Sequence, residues 1–202
     1  MKFRCERDAL VEQLGTASRA VSSRGGALPV LTGIHLKAHK DTLTMTGSDL
    51  EITVRASVAV DVKKSGEAVL PSRIVVDIIR SLDSGAVEVE VSGEEAKISG
   101  GRSQFSVRTL PVDDFPALSD PSGDQVTVAT ADLAAGLKQV VRAASGDDAR
   151  PILTGVLMSA EDGGLRLVAT DSYRLAVRDL PEATVLSEGQ KVLVPSLSLI
   201  HI

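Results

Sequence analysis

The chain has 202 residues, 43% of them hydrophobic and 24% charged, enough to bury a sizeable core in one or two domains, and it carries a formal net charge of −5. Its single cysteine, Cys5, excludes an internal disulfide and any site built on several cysteine ligands, and His35, His39 and His201 lack metal-ligand spacing. With three Phe, one Tyr and no Trp, the core must come from Val, Leu, Ile and Ala, which favours a plain scaffold over a pocket for a large cofactor, so no cofactor is expected.

Charge follows Met1 at once, where a signal sequence would carry an apolar run, and no stretch reaches membrane-spanning length, so a cytoplasmic protein is expected. Leu10, Val11, Leu14, Ala17 and Val21 share one helix face. Leu50 to Val62 is rich in Val, Ile and Thr and reads as strand. Ser72 is placed to cap a helix running from Arg73 to Leu82. Val87 to Val91 alternates strictly, and Ser103 to Leu110 alternates again after a turn at Ser99-Gly100-Gly101, so both predict sheets with one wet face. A Pro- and Asp-rich stretch follows, which gives a first domain over 1–112, a linker over 113–125 and a second domain over 126–202. Each complete unit reads as strand, helix, antiparallel strands, helix and more strands, a two-layer α+β domain.

The second domain repeats the first. Pro29-Val30-Leu31-Thr32-Gly33-Ile34 returns as Pro151-Ile152-Leu153-Thr154-Gly155-Val156, and Asp49 returns as Asp171, both 122 residues on. The helix-face positions recur 123 residues on as Leu133, Ala134, Leu137, Val140 and Ala144. Val69-Leu70-Pro71-Ser72 matches Leu193-Val194-Pro195-Ser196 at an offset of 124, the drift that single-residue loop insertions produce. The second copy should then open a helix like Arg73 to Leu82. It reads instead Leu197-Ser198-Leu199-Ile200-His201-Ile202, which resembles the translated end of a sequencing adapter, so 197–202 are expected to be non-native and the second domain truncated.

Net negative charge argues against a nucleic-acid binder until its distribution is considered. The helical windows Arg7 to Arg24, Ser72 to Leu82 and Asp132 to Ser145 hold seven basic and four acidic residues, a net of +3 that leaves −8 on the rest of the chain. Basic helices and acidic strands can present one positive surface to phosphates on an acidic protein, although solvated helix faces also carry such charge.

Several ordered motifs carry a resemblance to the bacterial sliding clamp, the beta subunit of DNA polymerase III. They are the Met-Lys-Phe start, Leu28-Pro29-Val30-Leu31, Gly47-Ser48-Asp49-Leu50-Glu51, Gly101-Arg102-Ser103 with Phe105-Ser106, Thr109-Leu110-Pro111 with Asp114-Phe115-Pro116, and Ala169-Thr170-Asp171 with Arg174-Leu175-Ala176-Val177. The resemblance spans Met1 to Ser196 and implies a DNA-clamp fold, in which repeated two-layer domains put helices on the inner face of a ring and antiparallel sheets outside. It implies a non-catalytic processivity factor that encircles double-stranded DNA without reading sequence, tracking phosphates. Its partners would be the polymerase III alpha subunit, the clamp loader and other proteins with a clamp-binding motif.

By resemblance, Arg24 and Arg73 contact DNA, and helix position and charge add Arg80, Lys138 and Arg142. Partners of the family insert a short apolar peptide into a cleft, of which this chain supplies Leu153, Thr170, Ser172, Tyr173, Arg174 and Leu175. Many family members have Gly-His where Ser172-Tyr173 stands, so cleft shape and peptide preference are expected to differ. The family closes head to tail as a homodimer, and Ile78, Leu82, Arg102, Gln104, Phe105 and Val107 would lie at that face. Asp49 and Asp171 are expected to cap turns rather than do chemistry.

Two other classes compete. An enzyme would need a phosphate-cradling glycine loop, a nucleophile elbow or a metal cluster, none of which the sequence carries; the pairs Asp113-Asp114 and Asp147-Asp148 fall in loop-like segments. The other is a tandem β-rich interaction module with no link to DNA; salt-dependent retention of the full-length protein on circular but not linear DNA would separate a clamp from both.

Overall fold

The computed structural model describes residues 1–22, 28–50, 52–118, 128–147, 149–161, 163–181, 183 and 189–196. The chain divides into two compact units, Met1–Ser119 and Asp120–Ile202. It is α+β, with antiparallel sheets throughout the strand pairings of both.

The first unit runs β1 (Lys2–Glu6), α1 (Arg7–Ser18), β2 (Gly33–His39), β3 (Thr42–Ser48), β4 (Thr53–Ala59), β5 (Asp61–Lys64), β6 (Gly66–Pro71), α2 (Ser72–Ser81), β7 (Ala86–Ser92), β8 (Glu95–Gly100) and β9 (Ser103–Arg108). These strands make two sheets, ordered β5-β1-β7-β8-β9 and β4-β3-β2-β6. The helices touch each other and close over a common core. Leu10, Leu14 and Ala17 of α1 meet Val75, Val76 and Ile79 of α2, Ile34, Leu36, Met45 and Leu70 of one sheet, and Phe3, Val87, Val89 and Ile98 of the other. The 3.6-residue and two-residue periods of the sequence are thus both satisfied by one interior.

Three local expectations shift. The apolar run read as one strand from Leu50 to Val62 is two strands in different sheets: the chain turns at buried Val60, whose N–H donates to the Asp41 carbonyl at 2.9 Å. The pattern does not mark that corner, because Val58, Val60 and Val62 keep the two-residue apolar period across it. Ser72 is not the cap of α2. Pro71 still pairs with Gly33 in β6 and occupies the cap position, so Ser72 is already the first helical residue, with its side chain buried. Gly100 pairs with Ser103 across the hairpin, so Ser99 and Gly100 belong to β8 and the turn is Gly101-Arg102, with Gly101 at φ +58, a conformation glycine adopts without cost.

The second unit contains α3 (Thr130–Val140), followed by β10 (Gly155–Glu161), β11 (Gly164–Thr170), β12 (Leu175–Leu180) and β13 (Lys191–Pro195), in the sheet order β12-β11-β10-β13. It matches α1 and the β4-β3-β2-β6 sheet strand for strand. Leu137 and Val140 of α3 and nearby Ala143 pack on Val156, Leu165, Leu167, Ala169 and Leu180. Residues 197–202 lie outside the described residues. Among the described residues, no helix is long and apolar enough to cross a membrane.

Candidate nucleic-acid and partner interfaces

The helices bring the predicted cations onto exposed faces. Arg73 and Arg80 are seven residues apart on α2 and therefore on one side of it, both exposed, while the Val75, Val76 and Ile79 face is buried. Lys138 in the last turn of α3 and Arg142 in the 3-10 turn beyond it are four apart and also exposed. None of these four forms an ion pair among the described residues, so their charge is available to solvent or to a ligand anion. Arg24 lies outside the described residues. Arg7, not singled out in the sequence, reaches the end of α2 and donates to the Arg80 carbonyl at 2.6 Å, but Asp8 pairs with it at 2.6 Å and offsets its charge.

The residues expected at a peptide cleft gather at one end of the second unit's sheet. Thr170 ends β11, Ser172, Tyr173 and Arg174 form the turn, and Leu175 starts β12, paired with Thr170. Half-buried Leu153 closes the 3-10 turn before β10. Asp171 organises the turn: its Oδ1 accepts the backbone N–H groups of Arg174 at 2.9 Å and Tyr173 at 3.0 Å. Those backbone bonds, with the Arg174 guanidinium, hold its carboxyl below the usual carboxylate range. Asp49 does the same in the first unit, accepting the Ile52 N–H at 2.7 Å, so both aspartates are turn caps.

Arg150, which the sequence did not single out, joins this cluster with Asp147, one of the loop aspartates. Arg150 donates to Ser172 Oγ at 3.4 Å and is held by Asp147 at 2.9 Å. The repeat hides Arg150, because its counterpart in the first copy is Leu28, a position where the copies differ. Around it Ile152, Tyr173 and Leu175 are 77%, 94% and 65% exposed.

The third set lies on the open edge of the five-stranded sheet. Among the described residues, strand β9 pairs only with β8 and stands at the edge of its sheet. Gln104 and Phe105 are exposed on it, Arg102 is exposed in the preceding turn, and Ile78 of α2 is half-buried. Leu82 and Val107 are buried in the first unit's own core, so they support this edge from within and present no side-chain surface. Among the described residues, no group of three or more His, Cys, Asp or Glu could hold a metal ion.

The chain is thus a duplicated α+β scaffold that carries, among the described residues, exposed cations outside any ion pair, a turn with exposed Tyr173 and Leu175, and a sheet edge without a partner strand. Comparison with known proteins gives the family. Residues 1–119 match the family model of the DNA polymerase III beta subunit N-terminal domain, and residues 127–202 match that of its central domain. The beta sliding clamp of Streptomyces coelicolor is 38% identical over 179 residues, covering 89% of this chain and 47% of that protein. The Bacillus subtilis clamp structure superposes with a TM-score of 0.91 at 33% identity, over 99% of this chain and 55% of that one. A Pseudomonas aeruginosa clamp bound to griselimycin superposes with a TM-score of 0.90 at 31% identity, again over 99% and 55%. The chain belongs to the DNA polymerase III beta subunit family and has the sliding-clamp fold. It spans about half the length of the relatives it matches.

Proposed function

We propose that the whole protein is a non-catalytic DNA sliding clamp, a processivity factor that encircles duplex DNA and tethers the replicative polymerase, and that this chain supplies its first domain, over 1–112, and part of its second, from 126, joined by 113–125. The observation that carries this reading is the set of exposed cations Arg73, Arg80, Lys138 and Arg142, on or just after helices and without an ion pair among the described residues, in an otherwise acidic chain of the clamp family. Fixed cations of this kind attract phosphates without reading bases, and water-bridged contacts let the duplex move past. Arg24 joins them by resemblance.

The remaining surfaces fit the same reading. The turn from Thr170 to Leu175, with Leu153, is half of a cleft for the apolar peptides of the polymerase III alpha subunit, the clamp loader and other clamp-binding proteins. The free edge of β9, with Arg102, Gln104 and Phe105, is the first-domain face of a head-to-tail homodimer, backed by Ile78, Leu82 and Val107. Such a protein works in the cytoplasm.

Charge reversal tests the DNA face. In the whole protein, Arg73→Glu with Arg80→Glu lowers retention on DNA at low and moderate salt and flattens its salt dependence, with thermal stability unchanged. Equal retention of variant and wild type across that salt range overturns the assignment of α2 to DNA.

A further inference from the structure

The turn between β11 and β12 is built with more constraint than a connection requires. Ser172 sits at φ +79, a left-handed conformation that residues other than glycine adopt rarely and at a cost. Tyr173 beside it is 94% exposed, so its ring recovers almost none of the burial energy an aromatic side chain can gain within its own unit. Five hydrogen bonds nevertheless fix the backbone beneath that ring. Asp171 accepts from the Tyr173 and Arg174 N–H groups at 3.0 and 2.9 Å and from Arg174 Nε at 3.0 Å. The Thr170 hydroxyl accepts the Ser172 N–H at 3.2 Å and donates to the Arg174 carbonyl at 2.7 Å. Arg150, anchored by Asp147, steadies the strained residue from outside through Ser172 Oγ.

The first copy shows what is particular here. Leu50 holds the corresponding strained position at φ +77, and Asp49 caps its turn, but Leu28 stands where Arg150 does and has no donor to offer. Only the second copy carries both an aromatic at the apex and an outer anchor.

We propose that Asp171 and Arg150 are positioning residues for partner recognition: they hold the strained turn so that Tyr173 projects as a preformed anchor, around which a partner peptide packs its apolar side chains. The proposal rests on the partner-peptide reading of this turn. Ordering Tyr173 before binding removes an entropic cost that a flexible loop would meet on association, and the phenol hydroxyl selects peptides that bring a hydrogen-bond acceptor.

Tyr173 is the sole tyrosine and there is no tryptophan, so intrinsic fluorescence of the unlabelled chain reports on this turn alone. Time-resolved anisotropy of the wild-type chain loses a first, subnanosecond part to rotation of the exposed ring about its own side-chain bonds and then holds a residual, because the backbone under the ring does not swing on the nanosecond scale. Asp171→Ala lowers that residual by roughly half, Arg150→Gln lowers it less, and Asp171→Asn, which keeps an acceptor, restores most of it. Circular dichroism checks that each variant is folded. Should Asp171→Ala not fold, the wild-type and Arg150→Gln decays decide: a wild-type residual near zero, or one that Arg150→Gln leaves unchanged, overturns the positioning role. Binding of the replicative polymerase to the whole protein is measured separately with Tyr173→Ala. Undiminished binding sinks the partner-peptide reading even where the anisotropy stands.

Discussion

The two copies of the repeat use one backbone for different surfaces, and the row of side chains across the outer face of each sheet makes the difference plain. In the first unit the pairing register lines up Val69, His35, Thr46 and Arg55. The chain after β9 lies over one end of that row: Leu110 donates its N–H to the Val69 carbonyl at 2.8 Å, and the Phe115 ring stacks on His35 with centroids 5.1 Å apart. Val69 is consequently fully buried beside Val30 and Leu31. The equivalent row of the second unit is Leu193, Leu157, Val168 and Val177, apolar throughout, with Leu193 42% and Val177 50% exposed. The duplicated fold has thus kept its register while the residue types along the row have changed, from His35, Thr46 and Arg55 beside Val69 in the first unit to four apolar residues in the second.

The interiors differ as well. In the first unit Gly47 of β3 lies so close to α1 that a β-carbon there would collide with the Ala17 carbonyl oxygen. The counterparts in the second unit are Ala169 and Val140, larger at both positions and both in its core. Small facing small lets the helix approach the sheet closely, and larger facing larger keeps it further away.

The sharpest way to break this comparison is to exchange the small residue. Gly47→Ala is expected to destabilise the first unit by about 2 kcal/mol or more, because the obstacle is helix backbone, which cannot rotate away. Its reciprocal, Ala169→Gly, should cost only about 1 kcal/mol, the loss of one buried methyl and some backbone entropy. Thermal unfolding of the two variants measures both, and equal losses would mean that the helices sit alike on their sheets. A smaller effect is expected from Val177→Arg, which installs in the second unit the residue that stands at the same position, Arg55, in the first. Stability should change by no more than about 0.5 kcal/mol, because the site is half-exposed, while binding of an apolar dye and self-association fall. An unchanged dye signal would show that the row is not the exposed apolar surface.

Much of this was legible in the sequence, and what was hidden has physical reasons. The helix faces and the alternating strand β7 follow from periodicity, because burial on one side leaves its pattern; β9 is a strand as read, but Ser103 to Ser106 are all exposed, so its alternation does not mark a buried face. The corner at Val60 is invisible, since Val58, Val60 and Val62 carry the same apolar period across it. Ser72 misleads because Pro71 still belongs to a strand, so no residue is left between sheet and helix to act as a cap. Of the candidate surfaces, Arg80, Lys138 and Arg142 follow from charge and helix position, and Arg73 from the family resemblance. Arg150 could not, because its role depends on a contact with Ser172, 22 positions away, and the repeat offers Leu28 as its equivalent. Burial separates Leu82 and Val107 from the exposed residues of the same edge, a distinction that alternation in β9 predicts only for neighbours on one strand.

If the whole protein is held on DNA by enclosure, as proposed, and not by tight binding, its retention depends on the DNA having no ends. Loading it onto nicked circular DNA and following its loss before and after the circle is cut once measures that dependence. Retention on the closed circle that survives moderate salt, followed by rapid release when an end is created, is the predicted result. Equal retention on circular and linear DNA, or none on either, contradicts it.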